Sequence, residues 1–431
     1  MKNSSKIKEN KEILVVWLGL AFSCINSITL LISMIGLLVY LRQGVSGAVK
    51  SLILISIRQV FNNRSFVSMS SVQTIKWILI FVFIGYIFLN NNTDFKSDYN
   101  YSKFRIVSVI LTLFVLTICF FSLMTSSYPT TALFKILSFF LAFLGVFIGV
   151  KNTILYEDYL QYIFWLLSAV MIISLIVLPL STFRTINKSF QGILNHPNMM
   201  GIFVDIYLVC AISYLAQKKI LFGIIILSFV LLINTDSRTC VITFFIVIIL
   251  SLKKIIPNNN RELFVFIIIA IIFGIIFFCG GQIWEIISEF LYKGHEDKSV
   301  LFSREEQFDM LWEKFLHNPW FGSGFMVPYS EGLTIWTLNM NLPYEPGNLI
   351  LSVLADCGII GFVLFILLIL SIFIMGEKNN AYLFVFVIII NLGELVLFSV
   401  NNMSMLLYVV LAVYLFEKNK VVNNNCQKSL S

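Results

Sequence analysis

The sequence predicts an all-α polytopic membrane protein with about twelve transmembrane helices. Three observations predict it. The chain is 58% hydrophobic and 12% charged, with a mean hydropathy of +0.91. Soluble domains carry about 25% charged residues, so this chain has too few charges to cover a water-soluble globule of 431 residues. The apolar residues also come in long runs rather than period-two or heptad patterns, and runs near 20 residues match a bilayer core. Helix is the expected form because a lipid-facing backbone must satisfy its own hydrogen bonds.

The first element follows a basic N-terminus, Met1 to Lys11, and runs from Ile13 to Leu41. That run is too long for a signal-peptide core and has no clear cleavage site, so it reads as a retained span. The stretch 46–58 (SGAVKSLILISIR) is amphipathic and is expected to lie in the interface or re-enter the membrane. Further spans are expected at 72–89, 104–124, 129–150, 159–180, 200–216, 219–234, 239–256, 262–282, 347–375, 380–400 and 402–417. Six of the seven cysteines fall in or beside apolar runs and none forms a CxxC pair, which excludes a disulfide framework and a zinc site. The three histidines are too scattered for a metal motif.

An even span count with a cytoplasmic N-terminus predicts a cytoplasmic C-terminus. The inner side then holds 17 of the 30 basic residues, in the sense of the positive-inside rule. The two basic types separate more sharply: 15 of 22 lysines fall inside, while Arg42, Arg58, Arg64, Arg184, Arg238 and Arg304 fall outside. The arginine fork matches phosphate oxygens in a way the lysine ammonium does not. The pattern hints at an anionic, phosphate-bearing ligand on the outer face, lipid headgroups being the plainer alternative. Residues 283–346 form the longest connection, and it is expected to be extracytoplasmic. A long ordered loop on a compact protein usually carries function.

Four outer segments are chemically loaded. In Phe190-Gln191-Gly192-Ile193-Leu194-Asn195-His196-Pro197-Asn198, Pro197 suits a helix start, and on residue types alone the polar groups read as a cap. Asn234-Thr235-Asp236-Ser237-Arg238-Thr239 is a tight turn that sets Arg238 at a helix start, where free N–H groups attract anions; pairing with Asp236 is the alternative. Arg304, Phe308, Leu311, Trp312 and Phe315 recur at helical spacing, an amphipathic helix on the membrane, followed by a Gly-Ser-Gly reversal at 322–324. The aromatics there read first as packing or interfacial anchors. In Pro343-Tyr344-Glu345-Pro346-Gly347-Asn348, Glu345 is a general base if desolvated or an N-terminal charge if not, and Asn348 is placed to orient a sugar hydroxyl.

The order of these motifs resembles the O-antigen ligase/polymerase superfamily, most of all the Wzy-type capsule and exopolysaccharide repeat-unit polymerases of Gram-positive bacteria. The shared pattern is FQGILNHPNMMG, DSRT, SRxxxxDxxW with NPWFGSGF, then EPGNLILSVLADCGIIG. It covers about 190–375, while the N-terminal spans agree only in hydropathy and in the Arg58-containing stretch.

The resemblance implies a glycosyltransferase-C-like fold and an undecaprenyl-pyrophosphate-linked glycan as substrate, with no nucleotide sugar; no cofactor is expected, and no metal, since arginine can replace the cation. It divides the chain into N-terminal helices (1–189), a ligase/polymerase-like core (190–375) and C-terminal helices with a tail (376–431). In the ligase branch, arginines matching Arg238 and Arg304 hold the pyrophosphate. A histidine there precedes the asparagine matching Asn348; here that place is Gly347, which leaves Glu345 as the nearest base. Arg58, Arg184, His196, Asn198 and Asn348 are expected to bind substrate. The expected function is polymerisation of lipid-linked repeat units at the outer face of the cell membrane. The alternatives are a ligase that transfers finished glycan and a lipid-linked sugar flippase. Asp356 and Glu394, charges within apolar runs, would line a transport path or the wall of a catalytic groove. Expected partners are the lipid-linked glycan and the bilayer, with a chain-length regulator as a further candidate and no nucleic acid.

Overall fold

The computed structural model describes residues 2–91, 99–185, 188–256, 305–328 and 347–416. These fold as helices, with no β-strand among the described residues beyond isolated bridges at Phe61–Leu194 and Arg184–Phe190. The chain is a helical membrane protein. Among the described residues, six helices are long and apolar enough to cross a bilayer: Met69–Leu89, Asn100–Thr125, Pro129–Thr153, Tyr159–Val177, Pro197–Leu215 and Leu349–Met375. Four apolar stretches are shorter: Ser27–Gln43, Lys219–Thr235, Lys378–Gly393 and Ser404–Phe416. The expected count of twelve spans is therefore not reproduced here. The expected span 262–282 and most of the loop 283–346 lie outside the described residues.

The first expected span is two helices. Asn26 stops the run after α1 (Lys2–Phe22) and starts α2 (Ser27–Gly36). Its Oδ1 accepts from Thr29 N at 2.9 Å, and its own N–H donates to Thr29 Oγ1 at 3.0 Å. This reciprocal cap satisfies two orphan donors and re-aims the chain. Hydropathy alone does not register one asparagine in such a run.

The amphipathic stretch 46–58 is not interfacial. It forms α3 (Val45–Arg58), and every residue from Ser46 to Arg58 is buried. Its polar residues meet protein rather than water. Lys50 Nζ lies 3.1 Å from both Glu12 and Glu157 carboxylates, Ser51 Oγ donates to Leu37 O, and Ser56 Oγ donates to Asn402 O. Beside α3 run α4 (Gln73–Leu89), α5 (Tyr99–Thr125), α6 (Pro129–Thr153) and α7 (Tyr159–Val177).

The centre of the bundle is built from α8 (Pro197–Leu215) and the last helix, α14 (Ser404–Phe416), whose thirteen residues are all buried. α14 packs on α3, α6 and α7, and α8 packs on α7, α9 (Lys219–Thr235) and α10 (Arg238–Ile255). One contiguous core joins side chains from the N-terminal, middle and C-terminal parts. The outer helices turn Leu116, Ile226, Ile249 and Leu367 outward, the surface that lipid covers.

Two breaks in helices place the polar residues. A thirteen-residue helix spans about 20 Å, less than a hydrocarbon core of about 30 Å. The expected span 380–400 accordingly ends early: α13 (Ala381–Gly393) gives way to an irregular segment, 394–403, buried except at Glu394 and Asn401. Asn391 Oδ1 accepts from Val396 N and Leu397 N at 2.9 and 2.7 Å, and Tyr408 Oη donates to Leu397 O at 2.5 Å. Irregular backbone at membrane depth is tolerated only with such internal partners.

The second break is at Gly358 (φ 65°, ψ −176°) within α12 (Leu349–Met375). Into it fits the reversal that follows α11 (Glu305–His317). Ile359 N donates to Pro319 O, Ser323 N to Ala355 O and Gly324 N to Asp356 O, at 2.8–3.2 Å. Gly322 (φ 76°) and Gly358 are required by close approach as well as by φ. A Cβ at Gly322 would lie 2.3 Å from Asp356 O, and one at Gly358 would lie 2.4 Å from the Trp320 carbonyl.

Asp356 does not line a path. Its carboxylate accepts from Lys314 Nζ and, at 2.9 Å, from Met326 N, with both side chains of the ion pair 1–2% exposed. Lys314 Nζ also donates to Gly324 O and Val327 O at 3.2 and 2.5 Å. The inner face of α11 is thus Leu311 and Lys314, while Trp312 and Leu316 point outward, as membrane anchors do.

Candidate functional site

The site lies where α8, α10 and α12 begin and α13 ends. Helix N-termini carry unpaired N–H groups and a partial positive charge, so three starting together favour an anion. α8 starts at His196, whose Nδ1 accepts from Asn198 N at 3.2 Å, with Pro197 in the first turn. The capping reading of His196 therefore holds. The side chain of Asn198 is spent elsewhere: its Nδ2 donates to Glu394 Oε1 at 2.5 Å.

Glu394 follows directly on α13, and the two helix ends are pressed together. A Cβ at Gly393 would lie 2.2 Å from Thr239 Oγ1 on α10. Gly201 of α8 sits against Ser237 and Cys240, so α8 and α10 also meet closely. Asn348 caps α12 with its Oδ1 on Leu351 N at 3.0 Å, and its Nδ2 reaches Leu392 O at 3.4 Å. Asn348 thus holds α12 to the end of α13.

Arg238 is the first residue of α10. It follows Asp236, which adopts a left-handed conformation (φ 55°) at the end of α9 and accepts from Ser189 Oγ at 2.6 Å. The turn thus sets Arg238 at a helix start within the same cluster as Asn198, Thr239 and Glu394. Arg304 and Glu345 lie outside the described residues. Arg304 immediately precedes α11, which the Lys314–Asp356 pair fastens to α12.

Two expected ligand-binding arginines have internal partners. Arg184 donates to Lys188 O, Asn234 Oδ1 and Leu178 O at 2.9–3.4 Å and lies over the Phe190 ring. It organises the loop before α8 and ties it to the 234–238 turn. Arg58, at the end of α3, donates to Ser23 Oγ, Ser23 O and Val67 O at 2.6–3.0 Å.

The sequence marks Glu394 only as a charge in an apolar run. Its partner Asn198 is 196 positions away, so nothing local marks the pair. A carboxylate directly after Gly393, at the end of an apolar run, is the one signal the sequence carried.

Lys103 and Lys254 lie at the other end. Lys103 Nζ donates to Leu415 O at the end of α14, and Lys254 Nζ, at the end of α10, donates to Asn380 Oδ1 and Tyr382 Oη. Since α10 starts at Arg238 and carries Lys254 in its last turn, the two polar ends are opposite faces of one bundle.

A helical membrane bundle with an anion-favouring end defines the class. Residues 223–366, from α9 to the middle of α12, match the family model described as O-antigen ligase. This match over part of the chain supports a place in the O-antigen ligase/polymerase superfamily and a function of that general type. No curated protein matches the chain.

Proposed function

We propose that the protein is a polysaccharide polymerase that joins undecaprenyl-pyrophosphate-linked oligosaccharide units at the outer face of the cytoplasmic membrane. The observation that supports this reading most is the meeting of three helix starts with Arg238, Asn198 and Glu394 at one end of the bundle. That end suits a diphosphate beside sugar hydroxyls. The lysine-bearing opposite end is then cytoplasmic, in the sense of the positive-inside rule.

The growing glycan on one lipid diphosphate is the donor. A hydroxyl of the second lipid-linked unit attacks the anomeric carbon with inversion. The new C–O bond forms as the bond to the diphosphate oxygen breaks, and the electron pair leaves with the diphosphate. Arg238 and Arg304 stabilise the charge gathering there, as fixed donors in a site that excludes water do. Glu345 accepts the hydroxyl proton. Glu394 is a positioning residue: it fixes the Asn198 amide beside α10. Two guanidinium groups supply the positive charge, and the reading needs no metal.

The test is the polymer. Arg304→Ala and Glu345→Gln are expected to abolish long chains at normal protein level, leaving single lipid-linked units. Glu394→Gln is expected to lower kcat with an unchanged pH profile. Wild-type chain lengths in Arg304→Ala would end the arginine assignment. Loss of the acidic limb of the profile in Glu394→Gln, but not in Glu345→Gln, would move the base to Glu394. Accumulation of long lipid-linked chains in a disrupted strain would indicate the ligase instead, and label crossing the bilayer a flippase.

A further inference from the structure

Joining two lipid-linked units requires two lipids to be held at once, and Arg238 accounts for one. A second feature of the bundle fits the other. Arg58 is fully buried, and its Nη1 has no hydrogen-bond partner. Its neighbours are neutral: the Ser23 hydroxyl and carbonyl, the Val67 carbonyl and the Phe61 ring. Among the described residues no carboxylate lies within ion-pair distance of it. A buried charge without a counter-charge is unfavourable, and an anion relieves it.

Ser23, which receives Arg58, also forms one end of a crevice between α1 and α2. The crevice measures about 260 Å³, is apolar along its length and opens where α1 and α2 face lipid. Gly19 and Gly36 make its room, since a Cβ at either would meet nothing within 4 Å. Ser33 Oγ, donating to Gly19 O at 3.4 Å, holds the two helices at that spacing. Arg58 stands behind Ser23 rather than in the lining, so an apolar slot with a guanidinium one side chain beyond it complements one ligand chemistry: a hydrocarbon chain with a phosphate head.

The end of α3 is joined to the loop before α8. Asn195 N donates to Val60 O and Asn62 N to Ile193 O, each at 2.9 Å. A head group at Arg58 is therefore one loop away from Asn198 and Glu394. We propose that the α1–α2 crevice and Arg58 form a second lipid-phosphate site, which takes the tail and phosphate of the acceptor. The acceptor sugar then lies across residues 193–198 toward the donor at Arg238. This rests on the polymerase reading above, and it assigns the N-terminal helices to acceptor capture.

The test uses the full chain in phosphatidylcholine nanodiscs and labelled undecaprenyl diphosphate as probe. The wild type is expected to bind two lipids per chain. Gly36→Leu and Gly19→Leu fill the crevice without disturbing a packed neighbour and are expected to bind one, as is Arg58→Met. Arg238→Met is expected to bind one also, and Gly36→Leu with Arg238→Met none. A wild type that binds one lipid, lost in Arg238→Met and kept in Gly36→Leu, overturns the second site and leaves the polymerase reading intact. A count unchanged by Arg238→Met overturns the donor assignment instead. Displacement of the crevice lipid by an equal amount of phosphatidylglycerol overturns its selectivity for the polyprenyl acceptor.

Discussion

Replacing Lys314 by methionine should damage this protein more than any surface substitution, and the structure sets the size. Lys314 Nζ serves three acceptors: Asp356 Oδ1, Gly324 O and Val327 O. The ion pair is 1–2% exposed, so neither water nor salt compensates for its loss. Removing one partner of a buried pair costs about 3–5 kcal/mol, because a charge is left uncompensated. Two backbone carbonyls lose a donor as well, at about 1–3 kcal/mol each where no water replaces it. The pair sits at the break in α12, where it holds the reversal 318–327 and hence α11. Cys357, beside Asp356, is fully buried and makes a local reporter. Heating the detergent-solubilised protein with a thiol-reactive fluorophore should expose Cys357 many degrees earlier in Lys314→Met than in wild type. The double variant Lys314→Met with Asp356→Leu should recover most of the loss, since buried ion pairs are replaced by apolar groups at small cost. Losses in the two single variants that simply add in the double variant would refute the reasoning, because coupled partners do not add.

Gly358→Ala should destabilise the protein strongly, by about 1–3 kcal/mol from backbone conformation alone, with the clash against the Trp320 carbonyl in addition; an unchanged midpoint in the same assay would show that the break is not fixed there. Asn198→Ala should leave the thermal midpoint within a few degrees and lower polymer formation at least tenfold, read from chain length on gels, because Glu394 loses its donor. Lys50→Met should lower the thermal midpoint, since it leaves Glu12 and Glu157 without their shared cation; adding Glu12→Gln to that variant should restore part of the loss, as the uncompensated charge is what the variant suffers from.

Much of the candidate site was legible one residue at a time. The Asp236–Arg238 turn, the His196–Pro197 helix start and the Gly-Ser-Gly reversal announce themselves through local turn and cap chemistry, which depends on neighbours a few positions away. The Asn198–Glu394 pair and the Lys314–Asp356 pair did not, because each joins segments remote in sequence. Arg184 and Arg58 look alike in the sequence, as outer-face arginines. Only their partners separate a loop organiser with carbonyls and an amide around it from a buried cation with a donor to spare.

What the amino-acid sequence determined by itself was the class: so few charges and such long apolar runs leave a helical bundle in a bilayer as the stable solution, since only helices satisfy their own backbone there. It also set most helix boundaries between 72 and 256, where caps and run lengths agree. Tertiary structure alone decided that α3 is interior and that α12 and α13 are interrupted. A broken helix is stable at membrane depth only where other segments supply its missing hydrogen bonds, and those segments come from elsewhere in the chain.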